Sequence, residues 1–452
     1  MDVSVVVLAA GQGSRMKSSQ PKVLHCLAGQ PLAAHVVKVA RQFTSDISLV
    51  IGHGADQVRQ FFAEQPLKFC VQSEQLGTGH AVSQALPLLP KEGAVLILYG
   101  DVPLTRAETL QRLIEQVSDT SMGLLTVKLD DPSGYGRIVR DAAGRVTSIV
   151  EHKDASTEQL TINEINSGII AVPAWALHEW LPTLSNQNAQ GEYYLTDLIE
   201  IAVSKGVVVN TVHPTDAEET LGVNNRVQLA QLERWHQQQI ATELMTQGVT
   251  LMDPSRIDVR GTLSAGQDCL IDVNCVFEGT VTLADNVSIG PNCVLRNATI
   301  GAGSVIEANT LIDGASVGAS AQVGPFARLR PGTQLADNTK VGNFVETKKA
   351  IIGVGSKVNH LSYIGDTVIG SGSNIGAGTI SCNYDGVNKY ATTIGNNAFV
   401  GSNSTLVAPV TISDGAFVGA GSVITKTAPA DQLTIGRARQ ITVAKWQKPV
   451  KK

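Results

Sequence analysis

Three groups of residues in this chain combine side-chain types and spacing that can do chemistry. The first is Leu8-Ala9-Ala10-Gly11-Gln12-Gly13-Ser14-Arg15-Met16, with Pro21-Lys22 shortly after it. Its glycines let the backbone turn tightly and bring N–H groups close to phosphate. Arg15 and Lys22 add the positive charge that a triphosphate requires. The dinucleotide-binding pattern is excluded because Met16 stands where its third glycine belongs, and a P-loop is excluded because no Gly-Lys-Ser/Thr follows. The second group is Tyr99-Gly100-Asp101, which closes an apolar run. A carboxylate there can reach a hard cation such as Mg2+ at the carboxyl edge of a sheet. The third centres on His360, in Val358-Asn359-His360-Leu361-Ser362-Tyr363, the single histidine from residue 237 onward. Histidine is the commonest general base near neutral pH, contributing roughly 10²- to 10⁴-fold in rate. Arg330 and Lys348 precede it, and two cations near a histidine suit a phosphorylated substrate.

These residues need rigid elements to hold them. The first half alternates apolar runs, Val3–Ala9 and residues 47–52, 95–99 and 122–127, with helical stretches over residues 33–43 and 79–85. That alternation predicts a parallel, doubly wound α/β sheet, whose ligands bind beyond the carboxyl ends of the strands. Residues from 225 to about 248 read as one helix joining two domains. From about Val281 to Ile424 an apolar anchor recurs every six residues, as in Val317, Val323, Leu329, Leu335 and Val341, and again in Ile394, Val400, Leu406, Ile412, Val418 and Ile424. Period six is neither helix nor simple strand. It predicts a parallel β-helix, with three short strands per coil of roughly 18 residues and the anchors pointing inward. Chemistry must then sit on the outer surface, in loops or between subunits. The repeat breaks once. Ile375 and Ile394 are 19 residues apart, one more than three hexads, and the intervening Ser381-Cys382-Asn383-Tyr384-Asp385-Gly386-Val387-Asn388-Lys389-Tyr390 lacks the aliphatic pattern. It reads as a projecting loop, the kind of element that commonly carries function.

The totals exclude several classes. A chain of 452 residues holds two or three domains. A net charge of −5 and only 4% aromatic residues give no case for nucleic acid. The six cysteines form no Cys-x-x-Cys pair and read as free, buried thiols in a reducing cytoplasm. The short apolar N-terminal run reads as a buried strand rather than a signal peptide. No stretch reaches the roughly 18 apolar residues of a membrane helix. The expectation is a cytoplasmic protein without membrane insertion.

The string from Leu8 through Pro21-Lys22 resembles the signature of sugar-phosphate nucleotidyltransferases. Further elements agree in order: Gln72 to Ala81, Tyr99-Gly100-Asp101, Gly134-Tyr135-Gly136-Arg137, Val150-Glu151-His152-Lys153, Asn163 to Gly168, and Gly222-Val223-Asn224-Asn225. Joined to a hexapeptide-repeat half, the whole chain is similar to the bifunctional bacterial N-acetylglucosamine-1-phosphate uridylyltransferase/glucosamine-1-phosphate N-acetyltransferase family. The resemblance implies a Rossmann-like uridylyltransferase domain over residues 1–226, a linker helix over 227–248, and a left-handed β-helix acetyltransferase domain with its tail over 249–452. It also implies a homotrimer, with active sites between subunits.

The same resemblance implies two reactions that make UDP-N-acetylglucosamine, a cell-envelope precursor. Acetyl-CoA acetylates glucosamine 1-phosphate, and UTP then uridylylates the N-acetylglucosamine 1-phosphate with release of pyrophosphate. It implies that Leu8, Ala10, Gly11, Gln72, Gly77 and Thr78 hold uracil and ribose, that Arg15 and Lys22 face phosphates, and that Tyr99, Gly100 and Asp101 belong to the same site. Gly136, Glu151 and Asn166 would hold the amino sugar, and Asp101 and Asn224 the Mg2+. In the second domain His360 would be the base. Arg330, Lys348, Tyr363 and Asn374 would bind glucosamine 1-phosphate. Ala377, Asn383, Tyr384, Ser402, Ala420 and Arg437 would contact acetyl-CoA. Glu192-Tyr193-Tyr194-Leu195-Thr196-Asp197 matches the family and is expected to close the sugar pocket by packing. The alternative is a nucleotidyltransferase whose β-helix only regulates or assembles it. Such a helix has no need to keep His360, Arg330, Lys348 and Asn383-Tyr384 together.

Overall fold

A computed structural model describes residues 1–451. The chain forms two compact units, the first ending at His236 and the second beginning at Gln237. The division falls inside one helix, Arg226–Thr246.

In the first unit the main sheet runs in the order Val208–Val212, Ser121–Lys128, Glu164–Pro173, Ala94–Tyr99, Val3–Ala9, Ile47–Ile51, Lys68–Val71. Its central parallel strands, Val3–Ala9, Ile47–Ile51 and Ala94–Tyr99, are almost wholly apolar because both faces are covered. Val6, Val50, Val95 and Ile97 face one core, and Val5, Val7, Leu49, Ile51 and Leu96 face the other. The sheet is not wholly parallel, as the alternation had predicted. Glu164–Pro173 runs antiparallel between Ala94–Tyr99 and Ser121–Lys128. Its polar start, Glu164-Ile165-Asn166-Ser167-Gly168, hides the strand from a hydrophobic pattern. The ladder also shifts register between Asn166 and Ile170, around Gly168 at φ +89°. Such a bulge re-aims side chains.

In the second unit successive hexad anchors pair with the next coil. Val323 faces Val341, Leu329 faces Thr347, and Leu335 faces Ile352, all in parallel register. The anchors named from the sequence are all buried. Coils begin earlier than the aliphatic hexads show, with Thr250–Leu251 paired to Leu270–Ile271. There Cys269, Cys275 and Cys293 take interior places, each fully buried. The open end of the first coil is covered by the last turns of the long helix. Ala241 and Leu244 join the β-helix core. The Gln237 side chain donates to the Val259 carbonyl and accepts from its N–H, both at 2.8 Å. One amide thus satisfies backbone groups that an end coil would leave unpaired.

One corner of the coil holds a column of left-handed residues: Asn274, Asn292, Asn309, Phe326, Phe344, Leu361, Gly378, Asn403 and Gly421. Asn and Gly suit that conformation, whereas bulky side chains there are strained by about 1–3 kcal/mol each. Phe326, Phe344 and Leu361 are the exceptions.

Candidate active sites

The first site lies at the carboxyl ends of the parallel strands. A cavity of about 290 Å³ is lined by Leu8, Ala10, Gly11, Lys22, Gln72, Gly77, Thr78, Tyr99 and Asp101, with Gln75 and Glu192 beside them. Gly13, at φ +62°, packs where a side chain would run into Lys22. Gly77, at φ +106°, lies against the Tyr193 backbone just before the helix Thr78–Ala85. Gly100 donates its N–H to the Leu8 carbonyl at 2.8 Å, so the two phosphate-side loops are tied together.

The cations converge on two oxygens. The Lys22 ammonium contacts Asp101 Oδ2 and lies 3.2 Å from Asn224 Oδ1, to which Arg15 also donates at 3.0 Å. Asn224 is brought there by its loop, since Val223 donates to the Asp101 carbonyl at 2.9 Å and Asn224 N–H donates to Gln228 Oε1 at 2.8 Å. A carboxylate and an amide oxygen facing one positive charge form a hard donor pair that fits Mg2+. Among the described residues no group of three or more His, Cys, Asp or Glu gathers for a metal. Remaining ligands would have to come from phosphate oxygens and water.

Glu151 and Asn166 lie outside that lining: Asn166 borders a small neighbouring pocket with Tyr99, Gly168 and Thr196. Asn166 N–H donates to the Gly136 carbonyl at 2.9 Å, and its Oδ1 accepts from Gly168 N–H at 2.9 Å. Gly168 has no room for a side chain because the Tyr99 ring lies against it. Burial raises the Glu151 pKa, opposed by the Thr196 hydroxyl, which donates to Glu151 Oε1 at 3.2 Å. Burial also holds the Tyr99 phenol protonated well above its ordinary range. Asp197 is pushed up to about 6 by burial and by the nearby Glu200 and Asp154. Thr196 was expected only to pack. Its hydroxyl instead orients the carboxylate, a contact that no sequence spacing announces.

The second site is built by stacking. Arg330 N–H donates to the Thr347 carbonyl at 2.9 Å, Lys348 pairs with Gly365, and Tyr363 precedes Gly365 on that coil. Arg330 Nη1 donates to Glu346 Oε1 at 2.8 Å. The Lys348 pKa is lowered by contact with the Lys389 ammonium, and further by Arg330. Three cations therefore gather, with Lys389 supplied by the projecting loop. Lys389 lies in a segment marked as functional by the broken repeat, but its partner could be found only from the folded coil. Asn383 is buried and its amide contacts Asp366 Oδ2. Tyr384 is exposed on the loop. The loop is larger than the hexad count implied. Ile375 pairs with Val400 and Ile369 with Ile394, so this coil has 25 residues. Ser381 occupies the interior place of the second strand, and the surplus falls between Cys382 and Thr392.

His360 is exposed, and its Nδ1 lies 2.6 Å from Asn343 Oδ1, the residue stacked above it. An amide oxygen only accepts, so the proton sits on Nδ1 and the lone pair on Nε2. Below His360 the same corner position falls on Ala377, Ser402 and Ala420 in successive coils. Gly378 N–H donates to the His360 carbonyl, Asn403 N–H to that of Ala377 and Gly421 N–H to that of Ser402. Arg437 Nη1 donates to the Ala420 carbonyl at 2.5 Å. A stripe of small side chains thus runs from the imidazole to a guanidinium. Asn374 stands on the adjoining face, in register with Lys357 and Phe399. Its side chain makes no hydrogen bond to Arg330, Lys348 or Tyr363 within the chain.

The fold and these constellations define a nucleotidyltransferase unit joined to a hexapeptide β-helix. Comparison with known proteins agrees. A family model described as the MobA-like NTP transferase domain matches residues 5–248, and the bacterial transferase hexapeptide model (six repeats) matches residues 391–426. The chain is 58% identical over 453 residues to the bifunctional protein GlmU of Stutzerimonas stutzeri, covering 100% of both chains. It is 59% identical over 451 residues to that of Cellvibrio japonicus, again covering 100% of both. It is 58% identical over 448 residues to that of Marinobacter nauticus, covering 99% of both. The chain belongs to the GlmU family of bifunctional proteins.

Proposed function

We infer that the chain makes UDP-N-acetylglucosamine in two steps, one in each unit. The observation that carries this reading is a second set of chemical groups in a chain that already holds a nucleotide cavity: an imidazole with Nε2 free heading a stripe of small residues, and a cluster of three cations on the same β-helix.

In the second unit the amine of glucosamine 1-phosphate attacks the thioester carbonyl of acetyl-CoA. His360 Nε2 takes the amine proton as the C–N bond forms. The C–S bond then breaks, and the proton passes to the departing thiolate. Arg330, Lys348 and Lys389 hold the phosphate, with Tyr363 and Asn374 at the sugar. Ala377, Ser402 and Ala420 give the coenzyme chain a path of low relief, Asn383 and Tyr384 border it, and Arg437 meets its phosphates.

In the first unit the phosphate oxygen of N-acetylglucosamine 1-phosphate attacks the α-phosphorus of UTP. One P–O bond forms, another breaks, and pyrophosphate leaves without a protein nucleophile. The chain supplies alignment and charge. Leu8, Ala10, Gly11, Gln72, Gly77 and Thr78 hold the nucleoside, and Gly136, Glu151 and Asn166 the amino sugar. Tyr99 and Gly100 form the floor, and Arg15 and Lys22 neutralise phosphates. Asp101 and Asn224 would hold Mg2+, which when bound screens the triphosphate charge.

Assembly as a homotrimer is part of this proposal. Strained, half-exposed Phe326, Phe344 and Leu361 beside His360, the first two stacked at 5.4 Å, support a covered surface there. A cytoplasmic location is supported by six free thiols, four of them buried as expected, with Cys26 exposed and Cys382 half-buried instead. Among the described residues no helix is long and apolar enough to cross a membrane.

Asp101→Ala and His360→Ala, assayed separately for both reactions, test the division of labour. Each is expected to lose one activity and keep the other. A folded Asp101→Ala protein that lost acetyl transfer as well would refute independent sites.

A further inference from the structure

The two oxygens that suit a metal in the first unit already share a cation. The Lys22 ammonium contacts Asp101 Oδ2 and lies 3.2 Å from Asn224 Oδ1. The ion pair is nearly dry, with the Lys22 side chain 13% and the Asp101 side chain 17% exposed, so solvent screens it little. Among the described residues Lys22 is the only hydrogen-bond donor to the Asp101 carboxylate. Arg15 donates to the same Asn224 oxygen at 3.0 Å. One carboxylate therefore faces an ammonium and a guanidinium, and the group is net positive without any metal.

A Mg2+ ion lies about 2.0–2.1 Å from each of its oxygen ligands. Bound to both Asp101 Oδ2 and Asn224 Oδ1, it takes the space between them that the ammonium fills. The two cations would also repel each other at close range, with a single carboxylate to neutralise them. The ammonium is free to turn away. The lysine stem is held at its base, where a side chain on Gly13 would run into it, but the chain beyond is flexible. Lys22 and Asp101 line the same nucleotide cavity, so the ammonium can pass from the carboxylate to a phosphate while the backbone stays in place.

We propose that Lys22 is an exchangeable counter-ion: its ammonium and the divalent cation exclude one another from Asp101 Oδ2 and Asn224 Oδ1, so the metal enters only together with the triphosphate that draws Lys22 away. A phosphate oxygen that accepts from Lys22 frees a metal ligand, which couples the two binding events. The chain without nucleotide holds a divalent cation weakly. This inference rests on the reading of the first unit as a nucleotidyltransferase.

The test measures binding of Mn2+, standing in for Mg2+, by electron paramagnetic resonance on the full chain without nucleotide. Lys22→Met deletes the charge and keeps the length, and is expected to tighten Mn2+ binding roughly tenfold. Adding Asp101→Asn to Lys22→Met should abolish the gain. Arg15→Met removes an equal charge that does not touch Asp101, and should change the affinity less than about threefold. An affinity within about twofold of the parent in folded Lys22→Met would overturn the exchange. So would an equal gain in Arg15→Met, which marks a general charge effect, or a gain that survives Asp101→Asn. If Lys22→Met does not fold, Lys22→Gln deletes the same charge and the same comparison decides. Pyrophosphate formation by the parent from UTP, N-acetylglucosamine 1-phosphate and Mg2+ reports separately on the first unit. Its presence beside unchanged Mn2+ binding in Lys22→Met sinks the exchange alone, and its absence sinks the nucleotidyltransferase reading with it.

Discussion

Replacing Glu219 by alanine should unfold the first unit far below its normal temperature while leaving the second intact. Glu219 is fully buried. One carboxylate oxygen accepts from the Thr109 hydroxyl at 2.8 Å and the Arg106 amide at 3.2 Å. The other accepts from the amides of Thr215 at 3.1 Å and Asp216 at 3.3 Å. The Thr105 hydroxyl donates to the Glu219 carbonyl at 2.9 Å, and the Arg106 guanidinium lies 3.8 Å from the carboxylate. One side chain therefore ties the segment after Asp101 to the segment before Asn224. Its removal strands one hydroxyl and three amides, each worth about 1–3 kcal/mol when buried without a partner. Water entering the space satisfies some of them. The loss is then close to that of breaking a buried charged network, about 3–5 kcal/mol. At roughly 2–4 °C per kcal/mol for a unit of this size, the transition should drop by about 10 °C. Calorimetry on the full chain, with thermal loss of each activity followed in parallel, assigns the transition. A shift below about 2 °C would mean that the carboxylate does not hold these loops.

Two further outcomes are expected. Burial, and then the adjacent His35, depress the His236 pKa to about 4, and burial lowers that of His35 as well. The unfolded chain takes up protons from about 6.5 downward while the folded one stays neutral. The first unit should therefore lose stability as pH falls from 6.5 towards 4, and a His236→Gln variant with an unchanged slope of Tm against pH would refute this. Ala420→Phe fills the small-residue stripe below His360 and should raise KM for acetyl-CoA roughly tenfold or more with uridylyl transfer unaffected, as removal of well-fitted binding predicts. An unchanged KM would remove the stripe as the coenzyme path.

Much of the fold was legible because its signals are periodic. The hexads from Val317 to Ile424 mark an interior that admits one apolar side chain per strand. The first coils were silent because Cys269, Cys275 and Cys293 fill that role without the aliphatic pattern. The antiparallel strand Glu164–Pro173 was hidden by its own bulge, which exists to aim Asn166 and admit Gly168 beside Tyr99. Motif residues such as Lys22 and Asp101 could be named because their types suit phosphate and metal. Residues that act through others could not. Glu219, Thr196 and Asn343 reach their partners across tertiary contacts, and Lys389 meets Lys348 only because a surplus stretch in one coil folds back over an earlier one.

Thiol release from acetyl-CoA, with glucosamine 1-phosphate as acceptor and no UTP present, tests most directly whether the β-helix unit is an enzyme. A two-site protein releases thiol only when the amino sugar is added, and His360→Ala loses that release by roughly 10²-fold or more while still forming pyrophosphate from UTP and N-acetylglucosamine 1-phosphate. No release from the parent chain, alongside normal pyrophosphate formation, would contradict a catalytic role for His360 and leave the β-helix as an assembly or regulatory unit.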